Sequence, residues 1–378
     1  MNRSPRRTML LALLFVAGGA ALPAQAPVAG GGATAKPDWS AVEEFVRTEM
    51  VRQQVPGLSM AVVRNGTIER AQGFGMANLE HDVPATSATV YQSGSVGKQL
   101  TATLVMQLVG EGRLSLDDRL AKFFPGGPAS WRDITIRHLL SHTSGISERF
   151  YFTVNLQLEY ADTTIARLIG EQPLDFAPGS KWSYSNPGYV LLGFIIERVT
   201  GRFYGDLLEE RIFGPLGMTT AMIIDEPAIV RHRAAGYVLD SGRVVNQRWV
   251  SRRFNTTADG SLYLTVHDLA KWDAALYGDR VLPQSALERM WTPIRLNDGT
   301  THPYGFGWQL GSVNGRRIIE HGGAWQGFKS YIARYVSEGL TVIVLMNQGR
   351  ADPARFAHGI AGVLDPALKA AAPVPARP

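Results

Sequence analysis

Near both ends of the chain, apolar residues alternate with polar ones or cluster in short runs; the middle carries them at helical spacing. Residues 58–64 and 67–73 read as two strands. Asn65-Gly66 lies between them, a pair that readily adopts the positive φ angles of a tight hairpin turn. Residues 316–320, 328–336 and 340–347 read as three more strands with short, and therefore antiparallel, connections. Helical periodicity appears over 99–110, 188–199 and 204–213, with Gly201 as a stop signal for the second. Ser40 with Glu43 forms a capping box that predicts a helix over 41–53, ended by Pro56-Gly57. Thr265 with Asp268 predicts another, reaching residue 277. Thr135 caps a short helix over 136–141, and a last helix is expected near 353–363.

This order predicts an α+β fold. Neither the hairpin nor the C-terminal strands are stable alone, so the economical solution joins them into one antiparallel sheet flanked by helices, with a mostly helical middle packed against it. The expected organisation is a sheet subdomain of about 39–94 and 300–364, a helical subdomain of about 95–299, and an Ala/Pro-rich disordered tail over 365–378. No internal repeat is present.

The N-terminus changes the picture of where the chain works. Arg3, Arg6 and Arg7 precede an apolar stretch, residues 9–16, and then small residues up to Ala24 or Ala26. This is the pattern of a secretory signal, 1–24, followed by a flexible Gly/Ala/Pro linker, 25–38. The expectation is an exported protein, periplasmic or secreted, with no membrane span once the signal is removed. The chain of 378 residues has no cysteine, so disulfides and thiol catalysis are both excluded. The formal charge is +5, but the leader carries three of the arginines and no Lys/Arg block follows. Nucleic acid is therefore not the expected partner.

Three clusters carry candidate chemistry. In Ser95-Val96-Gly97-Lys98, the lysine falls on the face of the serine. A buried amine of lowered pKa can take the serine proton, and free N–H groups at a helix start favour an oxyanion. The plain alternative is a helix cap beside a solvated lysine. In Tyr184-Ser185-Asn186, a phenol and an amide two apart on extended backbone point the same way. They serve for proton shuttling and for holding a substrate amide and Lys98; the alternative is a buried tyrosine and a turn asparagine. In His321-Gly322-Gly323, at a strand end, glycines permit close backbone approach, and Ala324 N–H is a second oxyanion donor. The alternative is a turn with a surface histidine.

In this order the clusters resemble the S-x-x-K, Y-x-N and K-T-G or H-x-G motifs of the serine β-lactamase and penicillin-binding protein superfamily. LLSHTSGI (139–146), PGSKWSYSNPGYVLLGFIIERVTG (178–201) and DGSLYLTVHDLAKW (259–272) resemble its class C-like branch, which includes esterases, D-aminopeptidases and D-alanyl carboxypeptidases. The likeness runs from about 39 to 364. It implies Ser95 as acylated nucleophile, Lys98 and Tyr184 as general acid–base pair, and Asn186, His321, Gly322 and Gly323 in substrate binding. The N–H groups of Ser95 and Ala324 would form the oxyanion hole. It also implies a small-molecule or peptide-like acyl substrate and no metal or organic cofactor. His-Gly-Gly departs from Lys-Thr-Gly: it lacks a fixed positive charge and a hydroxyl, which argues against efficient turnover of carboxylate-bearing β-lactams. A true class C-like β-lactamase or a D-alanyl carboxypeptidase is the alternative.

Other readings fit less well. An α/β-hydrolase would place its His-Gly-Gly segment before the nucleophile, and Ser93 stands where its G-x-S-x-G elbow needs glycine. His138 and His142 have the spacing of a helical zinc pair but lack the glutamate of H-E-x-x-H. A non-turnover sensor on this scaffold is opposed by the complete Ser95, Lys98 and Tyr184 set.

Overall fold

The computed structural model describes residues 37–369. The expected leader, most of the linker and the last residues of the tail lie outside this range. The hairpin forms as expected: β1 (Gly57–Arg64) pairs antiparallel with β2 (Thr67–Asn78), and a short β3 (Val83–Pro84) continues it. Far along the chain follow β4 (Gln309–Val313), β5 (Arg316–Trp325), β6 (Phe328–Tyr335) and β7 (Leu340–Met346). The seven form one sheet in the order β4-β5-β6-β7-β1-β2-β3, and the seam between the two chain ends is β1 against β7, with Leu58 opposite Met346.

Period-2 alternation assigns each strand residue to one of two cores. Leu58, Met60 and Val62 of β1, with Val342 and Val344 of β7, pack against α1 (Trp39–Gln53) and the C-terminal helix Pro353–Leu364. Ala61, Val63, Ile343 and Leu345 face the other way, into the larger core of the helical middle. Burial on both faces explains why β7 reads as an unbroken apolar run. The middle contributes α2 (Lys98–Gly110), α3 (Asn186–Thr200) and α4 (Val266–Ala275). A small three-stranded sheet of Tyr91–Gln92, Leu262–Leu264 and Met222–Ile223, not among the expected strands, accompanies these helices.

Some elements differ from expectation. The cap of α1 is Asp38, whose carboxylate accepts from Ala41 N–H; Ser40 already lies inside the helix. β4 was not expected, because an exposed edge strand containing Gly311 and Ser312 shows no apolar alternation. The helix expected over 204–213 is α-helical only at Tyr204–Leu208 and continues as a π-turn, Glu209–Phe213, before Pro215. Pro366–Leu368, assigned to the disordered tail, forms a 3-10 turn that buries Leu368. Thr135 and Thr265 cap their helices through reciprocal bonds, as expected for Thr265 with Asp268. Among the described residues no helix is long and apolar enough to cross a membrane.

Candidate active site

Ser95 does not cap α2. It lies in a 3-10 turn, Gly94–Gly97, and the cap position of α2 falls to Gly97. In a 3-10 turn residues i and i+3 eclipse, so Lys98 stands directly over Ser95. Its Nζ is 3.1 Å from Ser95 Oγ and 2.7 Å from Asn186 Oδ1, and also bonds the Asp259 carbonyl. Lys98 is fully buried. Burial pulls its pKa down from the usual lysine range to about 8, against the pull of the Asp259 and Glu148 carboxylates, which favour the ammonium.

The three partners of Lys98 Nζ are unequal. The Asn186 amide oxygen and the Asp259 carbonyl can only accept; Ser95 alone carries a proton it can give. A neutral amine therefore fits the site with two N–H donated and its lone pair directed at Ser95 O–H. Glu148 sets the orientation of Asn186: one carboxylate oxygen accepts Asn186 N–H, and the other accepts from Nδ2 at 3.1 Å. That leaves Oδ1 to face Lys98. Asn186 is not on extended backbone as expected but is the first residue of α3, with Ser185 as its cap, Oγ accepting from Gly188 N–H at 3.3 Å. Tyr184, in the segment just before the cap, lays its ring 5.0 Å from Lys98 Nζ. Its buried hydroxyl closes no hydrogen bond among the described residues. Burial pushes its pKa well above the phenol range; Ser95 pulls it back, and Asp259 and Glu148 add to the rise.

Glycines let three backbone segments meet at Ser95. A Cβ on Gly94, whose φ is +50°, would lie 2.4 Å from Ala324 N; one on Gly323 would lie 2.1 Å from the Ser93 carbonyl and 3.1 Å from Ser95 N. Gly260, at φ +142°, abuts the Gly94 carbonyl in the same way. The N–H groups of Ser95 and Ala324 are thus brought side by side. β4 pairs with β5 only as far as Glu320, so among the described residues the edge from His321 onward has no strand neighbour there and is open to the turn that bears Ser95. Gly97 faces Gly260 and Leu262, not Tyr184.

His321, expected in substrate binding, borders the cleft beside Ser95 but turns its ring nitrogens inward: the ring is buried, with Nε2 2.9 Å from Tyr304 Oη and Nδ1 2.6 Å from the Gly322 carbonyl. Both nitrogens are engaged internally. Burial, then the Lys98 charge, lower its pKa to about 3, so it brings no positive charge to the site. His138 and His142 do not converge on a metal position. His138 Nδ1 accepts from Thr135 N–H, and His142 lies between Ser185 and Tyr304.

Ser95 borders two clefts. One, of about 280 Å³, is lined by Glu148, Tyr151, Leu156, Asn186, Asp259 and Trp325. The other, of about 390 Å³, is lined by residues that include Tyr184, Asn186, His321, Gly322, Gly323 and Lys329. Residues 147–162 and 244–259 supply Glu148, Tyr151, Leu156 and Asp259 to the first. Glu148 and Asp259 were missed as individual residues. Asp259 stands inside a quoted stretch, beside Gly260, but nothing at that spacing marks it as a carboxylate near Lys98.

Comparison with known proteins agrees with this geometry. A family model described as beta-lactamase matches residues 42–364. The chain is 32% identical over 309 residues to penicillin-binding protein 4* of Bacillus subtilis (strain 168), covering 75% of this chain and 68% of that protein. It is 30% identical over 323 residues to the D-aminopeptidase of Gluconobacter oxydans (strain 621H), covering 82% of this chain but only 59% of the aminopeptidase. Among solved structures, the octameric penicillin-binding protein homologue from Pyrococcus abyssi superposes with a TM-score of 0.76 at 30% identity, over 86% of this chain and 77% of that one.

Proposed function

The chain belongs to the beta-lactamase family and is a serine hydrolase of that superfamily; from this premise we propose that it hydrolyses small esters or amides through an acyl-enzyme on Ser95. The observation that carries the reading is the setting of Lys98: a buried amine with pKa about 8, 3.1 Å from Ser95 Oγ, with Ser95 its one proton-bearing partner. Lys98 takes the Ser95 proton as Oγ attacks the carbonyl carbon. The carbonyl oxygen becomes an oxyanion received by Ser95 and Ala324 N–H. Tyr184, with its hydroxyl free, hands a proton to the leaving group and takes back the one that Lys98 received from Ser95, so that amine and phenol are both restored before water enters. Water then attacks the acyl carbon by the reverse route and restores Ser95.

The charge around Ser95 narrows the substrate. Glu148 and Asp259 line the first cleft, and the neutral His321 provides no anchor for a carboxylate. The group that enters the first cleft is thus preferred uncharged or cationic, such as a free amine, whereas Lys329 lines the second. The similarity to a D-aminopeptidase supports the same class.

A fluorophosphonate probe is expected to label the wild type and not Ser95→Ala; equal labelling refutes the nucleophile. On p-nitrophenyl esters, D-amino-acid anilides and a chromogenic cephalosporin, the first two are expected to turn over and the cephalosporin to be poor. Rapid cephalosporin hydrolysis would move the protein to the β-lactamase reading.

A further inference from the structure

A line of buried hydrogen bonds crosses the molecule behind Ser95. Ser185 N–H donates to His142 Nδ1 at 3.0 Å. His142 Nε2 is 3.1 Å from Tyr304 Oη, and Tyr304 Oη is 2.9 Å from His321 Nε2. His321 Nδ1 is 2.6 Å from the carbonyl of Gly322. The three side chains come from three separate segments, and all are buried.

The two ends dictate where every proton sits. A backbone N–H only donates, so His142 Nδ1 is an acceptor and its proton is on Nε2. A carbonyl only accepts, so His321 carries its proton on Nδ1 and its Nε2 is an acceptor. The single hydroxyl proton of Tyr304 then goes to His321, and its oxygen receives His142 Nε2–H. One arrangement satisfies all four contacts, and in it both imidazoles are neutral. Protonating His142 would set N–H against the Ser185 N–H. Protonating His321 would leave the Tyr304 proton without an acceptor.

The ends of this line are at the site itself. Ser185 is flanked by Tyr184 and Asn186, whereas Gly322 precedes Gly323 and Ala324 on β5. We propose that His142, Tyr304 and His321 form a proton-ordered strut that sets the separation between the Tyr184/Asn186 wall and the strand bearing the Ala324 oxyanion donor. His142 and Tyr304 are accordingly positioning residues, outside the three sequence motifs, and the His321 ring nitrogens act through the backbone of its own strand. The surroundings keep the strut neutral. Lys98 is the charged group acting on both rings, and the rings of Tyr184, Tyr189 and Trp182 surround His142, with Tyr184 also 6.2 Å from His321. Burial and Lys98 hold both histidines below the usual imidazole range.

The kinetic consequence rests on the proposed acyl-enzyme reading, but the proton order does not, so the two are tested separately. In the full chain labelled with ¹⁵N-histidine, two-bond ¹H–¹⁵N spectra are expected to show one neutral Nε2–H ring absent in His142→Gln and one neutral Nδ1–H ring absent in His321→Gln. Both should stay neutral between about pH 5 and 8, where a free histidine titrates. Either ring in the opposite tautomer, or charged in that range, overturns the strut. Tyr304→Phe removes only the central hydroxyl. It is expected to lower kcat about ten- to a hundredfold with KM little changed, the signature of a misplaced reacting group. Unchanged kcat in a folded Tyr304→Phe would show that the line is not a positioning device. If that variant does not fold, the wild-type spectra still decide. Spectra of Ser95→Ala that retain both tautomers while activity is lost separate the strut from the acyl-enzyme chemistry.

Discussion

Lys98 is held near its titration point by opposing influences: burial disfavours the ammonium, and two carboxylates favour it. The active form proposed is the free amine, so kcat/KM on an activated ester is expected to rise with pH through about 8 and then level off. Asp259 is the larger of the two forces that raise this pKa. Asp259→Asn removes the charge that favours the ammonium, so the midpoint should move to lower pH. A pH–rate profile of both proteins checks the shift, and an unmoved midpoint would separate Asp259 from the titration. At this scale the residue types of the site were legible in the sequence. Ser95, Lys98, Tyr184 and Asn186 meet in space, and the spacing of Ser95 and Lys98 foretold their contact. What Lys98 does depends on burial and on carboxylates 50 and 161 positions away. No local pattern reports either.

Elements put these residues in place, and their boundaries decide details that periodicity does not. A serine before a helical run reads as a cap; the 3-10 turn instead frees its hydroxyl and stacks Lys98 on it. Glycines were legible as sites of close approach, but the approaching group was not the one expected. At Gly323 it is the chain's own Ser93 carbonyl and the Ser330 hydroxyl, at 2.1 and 2.2 Å from a built Cβ. Gly323→Ala must push β5 away from the turn that bears Ser95 and spoil the oxyanion pair. The expected loss in kcat is about a hundredfold, the cost of one misplaced or missing oxyanion donor. Gly322→Ala is the contrast, because its Cβ comes no nearer than 3.1 Å to the Tyr331 ring and 3.8 Å to backbone, and should cost far less. Kinetics on both variants, alongside their melting temperatures, test the distinction; equal losses would refute it.

Across the whole molecule, the helical middle is tied to the sheet by more than apolar contact. Asp273 on α4 is fully buried, accepts from Arg334 of β6 at 2.6 Å and from the Thr341 hydroxyl of β7 at 2.8 Å. Asp273→Ala leaves the Arg334 guanidinium buried and unpaired, and is expected to destabilise by about 3–5 kcal/mol. Asp273→Ala with Arg334→Met should recover most of that loss. Urea unfolding of the single and double variants measures it, and a double variant no more stable than the single one would contradict the account. Nothing in the sequence links positions 273 and 334, which belong to elements read separately. The sequence by itself determined five strands of the large sheet, most helices, the α+β class and the three motifs, because periodicity, turn chemistry and motif spacing are local properties. Only the tertiary structure decided that His321 turns inward to Tyr304, that Glu148 and Asp259 surround Lys98, and that β5 meets the Ser95 turn. Those outcomes depend on burial, on long-range charge and on which donor finds which acceptor, and they exist only once distant segments are packed together.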